Sequence, residues 1–111
     1  MTTLEQYQNF TKTTAIYPDA NTGNLGELVY LSLGLAGEAG EIANKVKKLY
    51  RDGMDPMKIY EVSTEVGDVF WYLVRLCDAL GLDADRIIAG NIDKLSSRKS
   101  RGTLGGSGDN R

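Results

Sequence analysis

Two long stretches of this chain repeat their apolar residues at steps of three, four and seven, and no period-two alternation is sustained anywhere. In the first stretch Leu28, Leu31, Leu35, Ile42, Val46 and Leu49 fall on one helical face. In the second, Ile59, Val62, Val66, Val69, Leu73, Leu76 and Leu80 do the same. A strand would send alternate residues to opposite faces and scatter both stripes. Asp52-Gly53, with Pro56 just beyond, breaks the pattern over a few residues, and so short a connection turns the second helix back against the first. The expected long helices run from about Leu25 to Arg51 and from about Met57 to Leu80, antiparallel.

Shorter helices flank them. One is expected from Leu4 to about Ile16, opened by Thr3 and Gln6 as a capping box and followed by Pro18. Residues 19–24, DANTGN, read as a loop. A last helix begins near Asp83, after the stop at Gly81, and fades around Ser100. The expectation is an all-α, four-helix bundle-like domain over residues 1–101, with a flexible, glycine-rich basic tail over residues 102–111.

Composition then narrows the chemistry. A chain of 111 residues has room for one domain and one core, and 41% hydrophobic with 25% charged residues is ordinary globular composition. With no histidine, Ser-His-Asp triads, Cys-His dyads and most zinc or non-haem iron sites are excluded. The lone Cys77 cannot form an intrachain disulfide and sits at the edge of an apolar stripe like a small buried hydrophobe. No signal-peptide pattern opens the chain, and no apolar run approaches the roughly 18–20 residues of a membrane span, so a cytoplasmic location is expected.

Carboxylates remain, and they are patterned. Glu38 and Glu41 form an ExxE pair on the first long helix; Glu65 and Asp68 form an ExxD pair on the second. Residues three apart share a helical face. At about 100° per residue, Glu38 lies roughly 60° and Glu41 roughly 120° from the centre of their helix's apolar stripe, and Glu65 and Asp68 stand at nearly the same offsets. Both pairs therefore flank the seam where the helices meet. Small residues nearby (Gly34, Gly37, Ala39, Gly40, Gly67) would let the backbones approach closely. Four like charges at one seam need protons or cations, and oxygen-only ligation selects a hard divalent ion, Mg²⁺ ahead of Mn²⁺. A single acidic pair of this kind is more often a solvated face; two pairs at matching offsets on the two longest helices favour a site. A ferritin-like di-iron bundle needs Glu-x-x-His, and this chain has no histidine.

Charge is also divided along the chain. Residues 1–85 carry 7 basic and 13 acidic side chains, while residues 86–111 carry 6 basic and 2 acidic. Near the chain's end Asn91, Lys94, Arg98 and Arg101 follow steps of three, four and three, and form one polar stripe if the last helix continues that far. Such a stripe can be a solvated basic face, or it can face an acidic metal site and bind the remaining oxygens of a polyphosphate. Nucleic acid ranks second as a partner, because the basic segment is short and has no aromatic residue.

The text GLAGEAGEIANKVKK followed by EVSTEVGDVFWYLVRL resembles the MazG-like nucleotide pyrophosphohydrolases of the all-α NTP pyrophosphatase superfamily, in particular the small single-domain type related to dCTP pyrophosphatases. The resemblance implies Mg²⁺-dependent hydrolysis of a nucleoside triphosphate to the monophosphate and pyrophosphate. Glu38, Glu41, Glu65 and Asp68 would be the metal ligands, with Glu41 a candidate to orient the attacking water. Tyr72 matches a tyrosine that relatives place near substrate, and Asn91 and Lys94 match residues that relatives bring to the nucleotide. A homodimer or homotetramer is implied as well. Many such motifs read EExxE, whereas Gly37 precedes Glu38 here; Glu61, one turn before Glu65, is a partial substitute. Lys45 is expected to pair with the acids, Phe70 and Trp71 to serve core or oligomer contacts, and Tyr7 and Gln8 to bear on base choice. The competing reading is a non-enzymatic helical dimerisation or adaptor module with a basic tail.

Overall fold

The computed structural model describes residues 1–108; residues 109–111, the end of the expected tail, lie outside the described residues. Four helices follow in order, α1 Leu4–Thr13, α2 Leu25–Asp52, α3 Pro56–Ala79 and α4 Ala84–Ser100, with no strand among the described residues. The all-α expectation holds.

Local chemistry sets each boundary. Thr3 and Gln6 close the capping box of α1 through bonds of 3.1 and 2.9 Å. This helix stops at Thr13 and not at Ile16. Thr11, Thr13 and Thr14 each turn a hydroxyl onto the carbonyl three residues back, at 2.7, 2.7 and 3.1 Å, and compete with the helical ladder. Leaving the helix early brings Ala15 and Tyr17 into the core beside Leu31. Asn24 caps α2 by accepting the Glu27 amide at 2.9 Å, and Gly53 ends it at φ 109°. Asp55 caps α3 with Pro56 at its first position, one residue earlier than expected.

The α2–α3 hairpin is antiparallel: Gly34 meets Tyr72, Glu38 meets Asp68, and Lys45 meets Glu65. Its seam uses heptad steps. Leu28, Leu35, Ile42 and Leu49 face Val62, Val69 and Leu76, all of them buried or half-buried. The other half of the α3 stripe, Ile59, Val66, Leu73 and Leu80, stays exposed together with Val46 of α2. The expected core is thus only half covered within one chain. Among the helices α2 packs against α3 alone, whereas α1 packs on α3, and α4 on α1 and the end of α3. The arrangement is a long hairpin with two shorter helices on one side, more open than a closed bundle.

Beside this half-open seam lies a buried polar knot. Glu27 and Arg75 are both fully buried, with their charged groups 3.6 Å apart. The Glu27 carboxylate accepts from the Tyr17 hydroxyl, the Asn21 amide at 2.7 Å and the Gly23 amide at 2.8 Å. Arg75 donates to Asn21 Oδ1 at 2.7 Å and to Asp78 at 2.9 Å. The knot ties the 14–24 loop, α2 and α3 together. A concavity of about 480 Å³ beside it is lined by Lys12, Asn21, Arg75 and Asp78, whose polar groups already pair with one another.

Candidate metal centre

Halfway along the hairpin, Glu38 projects from α2 towards Glu65 and Asp68 of α3. One carboxylate oxygen from each of these three residues lies within 4.8 Å of the others. Glu38 and Glu65 are half-buried and Asp68 is exposed, so the cluster opens to solvent on one side. Glu38 Oε2 is buried and has no hydrogen-bond partner. A buried acceptor left without a donor is costly unless a proton or a cation reaches it.

Electrostatics show the same strain. A proton taken up by Glu38 can be shared with Glu65, and that hydrogen bond, burial, and the charges of Glu65, Asp68 and Glu41 push the Glu38 carboxyl up to about 7. Glu65 is held below the ordinary carboxylate range by that same hydrogen bond and by Lys45, whose Nζ lies 2.9 Å from Glu65 Oε1. Lys45 thus pairs with the acids, as expected. Without a divalent ion, a shared proton and one ammonium group compensate the cluster.

The remaining expected residues are placed as follows. Glu41 is exposed and stands outside the three-carboxylate convergence, though its charge acts on both Glu38 and Lys45. Glu61 instead lines a small concavity with Lys45, Lys48 and Lys58. Tyr72 is half-buried one turn beyond Asp68, and burial together with Tyr30, Glu38 and Asp68 pushes its phenol above the ordinary range. Tyr7 of α1 is raised by burial and by the Asp68 charge, which brings α1 to the edge of the site. Gln8 points elsewhere, donating to Asp78 and Leu82 and accepting the Ala84 amide. Phe70 is exposed, while Trp71 packs on the core.

Asn91 and Lys94 of α4 and Arg101, the capping residue just past its end, are exposed, but α4 does not pack against α2 within the chain. Arg98 differs from the expected open stripe: it is 3% exposed, buried where the chain turns back after α4. Thr103 donates its amide to the Arg98 carbonyl at 2.9 Å, and Gly106 donates to Thr103, so residues 102–108 form hydrogen-bonded turns against the helix end. Close backbone approach is also more local than the run of small residues suggested. A Cβ at Gly37, Gly40 or Gly67 would meet nothing within 4 Å, whereas one at Gly34 would strike the Tyr72 ring.

Three features escaped the sequence reading: the Glu27–Arg75 knot, the stacking of Tyr30 on Tyr17, and the seating of Tyr72 on Gly34. A lone arginine inside the uncharged run from Val69 to Cys77 was the one available signal.

An antiparallel helical hairpin with acidic residues converging across its seam forms an all-α candidate metal centre built on carboxylates. The chain belongs to the MazG nucleotide pyrophosphohydrolase family, whose domain matches residues 28–102. The gene 37 protein of Mycobacterium phage L5 is 46% identical over 113 residues, spanning 97% of this chain and 98% of that protein. No solved structure matches the chain. Family membership points to nucleotide pyrophosphohydrolase activity in general; enzymes of this family generally use a divalent metal, and the acidic cluster is the candidate place for one. No helix among the described residues is long and apolar enough to cross a membrane.

Proposed function

We propose that the protein is a Mg²⁺-dependent pyrophosphohydrolase that converts a ribo- or deoxyribonucleoside triphosphate and water to the monophosphate and pyrophosphate. The observation that carries this reading is the convergence of Glu38, Glu65 and Asp68 with Glu38 Oε2 buried and unpartnered. The donor set is all oxygen and fits a hard cation, Mg²⁺ before Mn²⁺. When bound, such an ion supplies charge neutralisation for a polyphosphate and activates a water for attack on phosphorus.

This chain's own residues do the rest. Glu38, Glu65 and Asp68 hold the ion, and exposed Glu41 stands at the rim, where it can complete the ligand set or accept a proton from the attacking water. Lys45 exchanges its hold on Glu65 for a phosphate oxygen once the cluster is neutralised. Tyr72 borders the nucleotide, and Asn91, Lys94 and Arg101 bind its oxygens. Arg98, buried at the turn after α4, anchors that segment. A helical adaptor would turn its acids to water; the half-buried Glu38 and Glu65 favour the enzyme.

Self-association belongs to this proposal. The chain exposes 7709 Å² where a compact monomer of 12.1 kDa exposes about 6,000 Å². Its radius of gyration is 16.8 Å against about 13 Å for a compact chain of this length. The open heptad row Ile59, Val66, Leu73 and Leu80 and the exposed Ile88, Ile92 and Leu95 of α4 supply the apolar surface for a homodimer or homotetramer. Because α4 does not reach α2 within one chain, Asn91 and Lys94 serve a neighbouring copy's site in that assembly.

The test is a panel of ribo- and deoxyribonucleoside triphosphates with Mg²⁺, scored for monophosphate and pyrophosphate, beside Glu38→Gln and Asp68→Asn. Both variants are expected to keep the helical circular dichroism of the parent and lose at least ~100-fold in turnover. No hydrolysis by the parent, or unchanged turnover in both variants, defeats the proposal.

A further inference from the structure

The structure assigns to Gly34 and Tyr72 a positioning role: seated on the bare backbone of Gly34, the Tyr72 ring sets the spacing of α2 and α3 at the carboxylate cluster. This rests on that cluster being the metal centre proposed above. A Cβ built on Gly34 falls 2.8 Å from Tyr72 Cδ1, and it would overlap Cε1 and Cζ. Ordinary carbon–carbon contact begins near 3.5 Å. Any side chain at Gly34 must therefore displace the ring or the helix by about an ångström.

The contact lies one turn from the ligands on both helices. Glu38 follows Gly34 by four residues, and Asp68 precedes Tyr72 by four. Nor can the ring swing aside freely. Trp71 meets it edge-on, with centroids 5.1 Å apart at 87°, and is itself held by its Nε1–H donating to Thr14 Oγ1 at 2.8 Å. Tyr17 meets Trp71 edge-on at 6.0 Å and stacks on Tyr30 at 4.8 Å, and its hydroxyl is tied to buried Glu27. A displacement at Gly34 is thus passed to α2 and α3, where ligand sites tolerate only about 0.5 Å.

The test measures Mn²⁺ affinity of the nucleotide-free full chain by calorimetric titration, so that any contact of Tyr72 with substrate does not enter. Four proteins are compared: the parent, Gly34→Ala, Tyr72→Ala and the double variant, each with its Tm in EDTA. Alanine in place of glycine in a helix interior ordinarily raises helix stability. Here Gly34→Ala is expected to weaken Mn²⁺ binding about tenfold, and in the Tyr72→Ala background by less than twofold, because the methyl enters vacated space. Mn²⁺ binding by Gly34→Ala within twofold of the parent, or an equal loss in both backgrounds, overturns the inference. If Gly34→Ala does not fold, Tyr72→Ala alone decides: a several-fold weaker Mn²⁺ affinity supports the role and an unchanged one overturns it. Parent binding that is abolished by Asp68→Asn establishes the cluster as the metal site whatever Gly34 does. Parent protein that binds no Mn²⁺ defeats the metal reading and this inference together.

Discussion

Replacing Glu27 by alanine probes the knot that clamps one end of the hairpin. Both Glu27 and Arg75 are fully buried. The substitution leaves the Tyr17 hydroxyl and the Asn21 and Gly23 amides without their acceptor, and leaves the Arg75 guanidinium with Asp78, Asn21, Thr11 and the Tyr17 hydroxyl but no Glu27 charge. Breaking a buried pair from one side costs about 3–5 kcal/mol. Unfolding entropy of about 2.1 cal/mol/K per residue gives ~0.23 kcal/mol/K for 111 residues, so the expected fall in Tm is about 13–21 °C. Burial alone would raise the Glu27 carboxyl, but the bonds from Tyr17, Gly23 and Asn21 and the charge of Arg75 outweigh it and hold the group below its ordinary value. Its contribution is therefore present above the unfolded pKa of about 4.3 and lost as pH falls through the lower folded value, where parent and variant should converge. Thermal circular dichroism at one protomer concentration and several pH values reads both effects, with limited proteolysis of residues 14–24 as a local check. A Tm loss below about 4 °C at pH 7, or a gap between the proteins that widens on acidification, refutes the reasoning.

Without divalent cations the opposite pH trend is expected from Glu38. Its carboxyl is raised to about 7 in the fold, so its stabilising proton is fully present below the unfolded pKa of about 4.3 and lost as pH rises through 7. The parent's Tm in EDTA should fall between pH 6 and 8, and Glu38→Gln should flatten that fall; a parent Tm that rises over this range contradicts the shared-proton account. Lys45→Ala should lower Tm in EDTA but not in saturating Mn²⁺, where the ion replaces its charge, and equal losses in both conditions would make Lys45 purely structural. Ile88→Asp with Ile92→Asp places charge on the exposed apolar row of α4 and should shift sedimentation towards the monomer; an unchanged profile removes α4 from the interface.

What was legible in the sequence was whatever a single helix encodes. The apolar stripes and the stop at Gly53 placed α2 to within one residue at its C-terminal end, and the three-residue spacings put Glu38, Glu65 and Asp68 on faces that do converge. Quantities that depend on two elements meeting were not legible. Gly34, Gly37 and Gly40 look alike in the sequence, and only the register of α2 on α3 gives Gly34 a ring to accommodate. Arg98 reads as one step of a basic stripe, yet it is buried where turns follow the end of α4. The early end of α1 turned on three threonine hydroxyls whose helical and non-helical bonds are close in energy.

The distribution of these features follows from the cost of the site itself. Three carboxylates within 4.8 Å repel one another and push the helices that carry them apart. On one side of the cluster Lys45 pulls back through Glu65, a half-buried contact that salt and competing ligands can still reach. On the other side the chain places fully buried Leu31 and the Glu27–Arg75 knot, with the Tyr17–Trp71–Tyr72 aromatic chain packed beside them, contacts that solvent ions weaken little. The hairpin is therefore clamped firmly at one end and held reversibly at the other. In the proposed reaction such an arrangement would let Lys45 yield to a phosphate or a cation without loosening the register that keeps Glu38 opposite Asp68. A site clamped equally at both ends would bind the ion with less adjustment but would leave no cation free to leave its carboxylate for the substrate.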